Sequence, residues 1–305
     1  MLRSMYSGIS GLKNFQTKLD VIGNNISNVN TYGFKKGRTV FKDLISQTVS
    51  GASAATATRG GVNPKQVGLG SQIAAIDTIH TGGSMQSTGR VLDLAISGDG
   101  FFQVADGNAT SYGAKLFTRA GNFYMDNKGY LVNGDGKYLV GVADQAGAAA
   151  AGTTFTNAAA ANAITSAVDG TNPAAAGNYQ VKPIRIPTDA QSMSVGQDGV
   201  VTFVDSAGTL RYAGQVVLTK FSNSGGLEKV GANYFQESAN SGVPFFAAAT
   251  QQGMGSINSG FLEMSNVDLS EEFTEMIVAQ RGFQANTRII TTSDEILQEL
   301  VNLKR

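Results

Sequence analysis

Both ends of this chain carry apolar residues at helical spacing, and the long middle does not. Leu2, Met5, Ile9, Leu12, Gln16, Leu19, Gly23 and Ile26 alternate steps of three and four, and most of them are apolar. The spacing predicts an amphipathic helix of about 28 residues within 1–30, roughly 42 Å long at ~1.5 Å per residue. Gly8, Gly11 and Gly23 each weaken it by up to ~1 kcal/mol relative to alanine, so it needs a partner. Leu269, Phe273, Met276, Gln280, Phe283, Thr287, Ile290, Asp294, Leu297 and Val301 repeat the alternation at the other end. They predict a helix over 268–303, with Asp268 as N-cap and Glu271 placed for a capping box. Glu271, Glu272 and Glu275 suit its positive end, and Lys304 and Arg305 suit the other.

The two ends are complementary in charge. Residues 1–42 hold seven bases and one acid, whereas 263–305 hold eight acids and four bases. The overall balance of 23 Lys and Arg against 23 Asp and Glu conceals this asymmetry. The ends are therefore expected to associate, within one chain or between neighbours. Between them, short runs such as LDLAI (92–96), FFQV (101–104), VVTFV (200–204) and GQVVLTKF (214–221) are divided by turn signals such as Asp99-Gly100, Asp135-Gly136 and Asp198-Gly199.

The fold class expected is α+β. N- and C-terminal helices pair as an α-helical coiled coil around an inserted antiparallel all-β domain, with an extended connector. The boundaries expected are a helical core at 1–30 and 264–305, connector at 31–71 and 251–263, and the β domain at 72–250. An Ala/Gly-rich insertion at 144–179, without periodicity, interrupts the β domain.

Little conventional chemistry is available to such a chain. It has no cysteine and a single histidine, which removes disulfides, thiolate metal sites, a cysteine nucleophile and histidine clusters. His80 has no catalytic neighbour in sequence and reads as structural. The Asp-Gly pairs match no calcium loop and read as turns. SGDGFF lacks both the dinucleotide-binding spacing and the lysine of a phosphate loop. We expect no enzyme, metal or cofactor. Zero net charge argues against a nucleic-acid partner, and no run of 18 apolar residues argues for membrane insertion. Polar residues and glycine break up the N-terminal apolar stretch, so no cleaved secretory signal is expected.

The segment NNISNVNTYGFKK (24–36) gathers Asn24, Asn25, Asn28 and Asn30 at the exit of the first helix, with Gly33 and Phe34 following. The asparagines can bond exposed backbone groups or a neighbouring chain, and Gly33 can take the left-handed conformation that stops a helix. This segment resembles the N-terminal signature of the bacterial flagellar rod and hook family. The run from Leu262 to Arg305 resembles the family's C-terminal signature. LDLAISGDGFFQV (92–104), FTRAGNFYMDNKGYLVNGDG (117–136) and GLEKVGANYFQESANSG (226–242) are similar to its β domain. The ending ITTSDEILQELVNLKR is more similar to the hook branch than to the distal rod branch.

The resemblance implies a structural subunit of the flagellar hook, a curved hollow tube acting as a universal joint between rod and filament. It implies export by the type III apparatus without signal cleavage and location in the extracellular hook region. The implied partners are other copies of the chain and the rod, hook cap and hook–filament junction proteins. A straight distal rod protein is the alternative within the family, and a secreted β-rich adhesin the alternative outside it. Polymerisation would use the apolar helical positions Leu2, Met5, Ile9, Leu12, Leu19 and Ile26 with Phe273, Met276, Phe283, Ile290, Leu297 and Val301. A nearly uncharged stripe of Gln280, Gln284, Thr287, Thr291, Asp294 and Gln298 is expected to line the central channel.

Overall fold

The computed structural model describes residues 2–56, 58–108, 111–143, 168–169 and 181–303. The Ala/Gly-rich stretch at 144–179 thus lies outside the described residues, apart from Val168–Asp169, which pair with Phe245 and Phe246. The chain divides into two compact units. One comprises residues 1–29, 36–79 and 267–305, and the other residues 30–35 and 80–266.

The first unit is helical with two small ladders. Helix α1 spans Leu2–Ser27 and helix α2 spans Leu269–Asn302. As expected, Asp268 caps α2: its carboxylate accepts from the N–H groups of Ser270 at 2.8 Å and Glu271 at 3.5 Å. The Glu271 carboxylate is engaged by Lys36 at 2.8 Å. Lys304 and Arg305 lie outside the described residues. Asp268→Ala should cost about 1 kcal/mol. Amide exchange would report it as faster exchange confined to the first turn of α2.

The stretch expected as an extended connector is instead laddered. Gly37–Asp43 pairs with Ser71–Thr78, and Ser46–Ser50 pairs with Lys65–Gly68, both antiparallel. The reason is β-branched and aromatic content: Thr39 faces Ile76, Val40 faces Ala75 and Phe41 faces Ile73 across the first ladder, and Phe41 meets Phe15 of α1 at 6.2 Å between ring centroids.

The second unit is an antiparallel β domain. Its longest strand, Leu210–Lys220, pairs with Val200–Val204, Tyr138–Ala143, Phe101–Asn108 and Phe245–Ala248. Most of that strand is buried, and Val216, Val217 and Leu218 form its apolar centre. Phe102, Val104, Leu139, Val216 and Leu218 form one core, and Phe101, Phe117, Phe221 and Phe235 a second. The segment 251–263 is also part of this unit, not connector, because Ser256–Ser259 pairs with Leu94–Ser97 and Phe261–Glu263 with Met85–Ser87. The Asp-Gly signals sit at turns as expected, with Gly136 and Gly199 at φ of 79° and 82°.

Candidate functional site

The helix pair is built on small residues. Gly8 of α1 lies against Ile290, Gly11 against Asn286 and Phe15 against Gly282, so the two helices run antiparallel. A Cβ on Gly11 would stand 2.8 Å from the Asn286 side chain, and one on Gly282 would stand 2.6 Å from the Phe15 ring. Further along, Lys18 pairs with Glu275, and the Nδ2 of Asn25 donates to Glu272 Oε2 at 3.1 Å. Lys36 joins Glu271 and Glu272 at 2.8 and 2.9 Å. The complementary ends therefore do associate within one chain.

The seam shares Ile290 with the apolar stripe but otherwise follows a different line. It runs through Gly8, Gly11, Phe15, Lys18 and Asn25 on α1, and through Glu272, Glu275, Gly282, Asn286 and Ile290 on α2. Close helix approach requires small side chains at the contact, and the bulky stripe cannot supply them. Part of the stripe is left uncovered: Ile9 is 46 % exposed, Phe273 51 %, Phe283 37 % and Val301 68 %. Met5, Leu12, Leu19, Ile26, Met276, Ile290 and Leu297 are half-buried, and the Leu2 side chain lies outside the described residues. Gln280, Gln284, Thr287, Thr291, Asp294 and Gln298 are all exposed, with the Gln298 amide donating to Asp294 at 3.1 Å.

The asparagine segment separates into distinct roles. Asn25 is buried, donating to Gly37 O and accepting from Gly37 N, both at 2.9 Å. Asn28 donates to Asn24 O at 2.9 Å, while Asn24 and Asn30 are exposed. Gly33 does adopt the left-handed conformation, at φ 69°, but α1 already ends at Ser27. Its role is close approach: a Cβ would fall 2.5 Å from Ala120 N, and its own N–H donates to Glu263 O at 2.8 Å. Phe34 is buried in the β unit beneath the ammonium of Lys229, 5.2 Å from the ring centre.

The sequence did not expose the next residue, Lys35. Its side chain is fully buried, with Nζ 2.6 Å from Glu263 Oε1 and donating to Thr81 O at 2.8 Å. Arg119 reaches the other carboxylate oxygen at 3.2 Å and donates to Gly98 O at 2.9 Å. The Gly83 N–H completes the shell of Glu263 at 3.0 Å. Burial lowers the Lys35 ammonium below its ordinary 10.5, and Glu263 opposes that effect. His80 lies beside this centre, edge-on to Phe101 and Phe235, with ring centroids 5.5 and 5.3 Å away. Neither of its ring nitrogens meets hydrogen-bond geometry, although the Ser224 backbone is near enough to favour the charged form weakly. Burial, then Lys35, Arg119 and Lys229, push His80 down to about 4.

Ion pairing here is structural. Among the described residues no three His, Cys, Asp or Glu gather for a metal, and no helix is long and apolar enough to cross a membrane. Paired terminal helices enclosing an antiparallel β unit in sequence define a structural subunit with an uncovered apolar surface. Comparison with known proteins gives the same class. Residues 5–35 match the family described as flagella basal body rod protein. Residues 95–203 match the flagellar hook protein FlgE/F/G D1 domain, and 258–303 the flagellar basal body rod FlgEFG protein C-terminal. The chain is 56 % identical to the flagellar basal-body rod protein FlgG of Bacillus subtilis (strain 168), covering all of both chains. It is 34 % identical to the flagellar hook protein FlgE of Borreliella burgdorferi, again over the whole of both, and 35 % identical to FlgG of the same organism. The chain belongs to the flagellar hook and rod protein family, whose members are structural proteins of the flagellum.

Proposed function

We propose that this chain polymerises through its terminal helices into the curved hollow tube of the flagellar hook. The observation that carries polymerisation is the uncovered apolar surface of α2, where Phe273, Ile277 and Val278 are each more than half exposed. Covering such side chains stabilises an assembly by about 25 cal/mol per Å². In this reading neighbouring copies bring their helices together as an α-helical coiled coil inside the tube, through the stripe of Leu2 to Ile26 and Phe273 to Val301. The six-residue stripe from Gln280 to Gln298 faces the lumen, where a nearly uncharged wall holds a passing unfolded chain weakly. The partners are other copies, the rod, the hook cap and the junction proteins. The type III apparatus delivers the chain to the extracellular hook region.

Two features support the hook: the similarity of the C-terminal run to that branch, and a surface poor in charge, with 15 % charged residues in the chain. Few fixed ion pairs let subunits slide as a bent tube turns. The straight rod is the second reading, favoured by the 56 % identity to a protein named as a rod subunit.

Electron microscopy tests both. Purified full-length chain, given a nucleus, should form curved tubes, while Ile277→Asp combined with Ile296→Asp should remain monomeric with an unchanged fold. Straight tubes would assign the rod. Unimpaired assembly of the double variant would overturn polymerisation through this surface, and a helical reconstruction with the glutamine–threonine stripe between subunits would remove the channel role.

A further inference from the structure

A cleft of about 300 Å³ opens within the β unit, a volume at the lower end of the range for small-molecule sites. Assembly through the helices makes no use of it. Tyr32, Asn122, Asn133, Asp135, Asn233 and Tyr234 line it, and no lysine, arginine or large aliphatic side chain does.

Part of this wall is held rigidly. The Tyr234 hydroxyl donates to Asp135 Oδ2 and accepts from the Asn133 amide. Asn133 Oδ1 in turn accepts from the N–H groups of Asp135 at 3.1 Å and Lys137 at 2.9 Å. Burial, with the carboxylate beside it, raises the Tyr234 hydroxyl well above its ordinary 10, so it stays a donor. Asn233 Nδ2 donates to Tyr32 O at 3.1 Å, and its own carbonyl accepts from Thr118 at 3.0 Å. Ala232 and Asn233 both hold positive φ, 48° and 61°, in a hairpin tip where glycine would be the unstrained choice at the first position.

Other groups are left over. The Asn122 amide and the Tyr32 hydroxyl have no hydrogen-bond partner among the described residues, and Asp135 keeps a second carboxylate oxygen. The chemistry of these groups selects the ligand. Lys137, whose ammonium lies 5.8 Å from the Tyr234 ring centre, is paired with Asp106, so an anion would meet the Asp135 charge without a cation in the lining to offset it. An apolar ligand would strand the polar wall, since buried polar groups without partners are destabilising. A peptide side chain finds no apolar recess. A carboxylate, a side-chain amide that both donates and accepts, and a tyrosine hydroxyl together match adjacent hydroxyls that each donate and accept.

We infer that this cleft binds a neutral saccharide, with Asp135 and Asn122 engaging neighbouring hydroxyls and the Tyr32 and Asn233 side chains flanking the ring. The test uses full-length monomer and two soluble probes, chitotetraose and maltotetraose, followed by amide chemical shifts. At least one probe should shift residues of the cleft, with a Kd of about 1 mM. Asn122→Ala and Asp135→Asn should each weaken binding about tenfold, the second retaining an acceptor for Tyr234. Spectra unchanged elsewhere will show that the variants fold. Absence of shifts at about 10 mM of either sugar would overturn the inference. So would shifts that both variants leave intact. A peptide of residues 46–68 of this chain binding the same cleft more tightly than either sugar would replace the saccharide with a second copy of the protein.

Discussion

Glu263→Ala is expected to destabilise the β unit by about 3–5 kcal/mol, the range found when one member of a buried ion centre is removed. The carboxylate is the single acid facing two buried cations, Lys35 and Arg119, whose side chains are 0 % and 3 % exposed. Without it, among the described residues Lys35 keeps Thr81 O as its hydrogen-bond partner, Arg119 keeps Gly98 O and the Phe101 ring 5.3 Å away, and the Gly83 N–H loses its acceptor. Urea unfolding of the full-length chain, followed by near-ultraviolet tyrosine dichroism, should show the midpoint falling by more than about 1 M. Replacing all three by apolar residues, Lys35→Met with Arg119→Met and Glu263→Leu, should recover most of the loss, because no charge is then left unpaired. A loss below about 1 kcal/mol in the single variant would mean that the centre is hydrated and weak.

Acid should weaken the same unit through His80. Its folded pKa of about 4 lies below the ordinary 6.5, so the folded chain binds fewer protons there than the unfolded chain. Stability from this group is complete above pH 6.5, falls as pH drops toward 4, and has no further to fall below that. The full loss is of the order of 3 kcal/mol. A protonated ring would join Lys35, Arg119 and Lys229 around one carboxylate. Carboxylates titrate in the lower part of this window, so the informative quantity is the difference between the native chain and His80→Gln or His80→Leu. Both variants should lose the slope between pH 6.5 and 4.5 while retaining the steeper fall below it. The imidazole is unique in the chain, so its proton resonances can be titrated directly. A midpoint near 6.5 in the folded chain would show the ring to be solvated and the acid effect to lie elsewhere.

Much of the architecture was legible in the chain. Asp268 ahead of a three–four alternation placed the start of α2 to the residue, because capping and helical periodicity are local effects. The Asp-Gly turns were equally plain, since the positive φ at Gly136 and Gly199 is a property of the residue itself. The ladders in the connector segments are not legible in the chain, because their pairing is long-range. Nothing near Phe261–Glu263 announces Met85–Ser87 as its partner, and a short strand acquires a ladder only when another strand arrives.

The sequence by itself determined that two oppositely charged helices would flank a β domain along the chain and associate. Spacing and net charge survive whatever the details of packing. Only the tertiary structure decided which face of each helix meets the other. Gly8 and Gly11 read in sequence as defects that weaken a helix, yet with Gly282 they form the seam, because a Cβ at Gly11 or Gly282 would collide with the facing helix. Only it separated Lys35 from its neighbours Lys36 and Arg38, which share its charge. Lys36 bridges the exposed Glu271 and the buried Glu272, Arg38 is exposed beside Asp77, and Lys35 is sealed against Glu263. A buried charge is tolerated only where the fold delivers its counter-charge, and that partner stands 228 residues away along the chain.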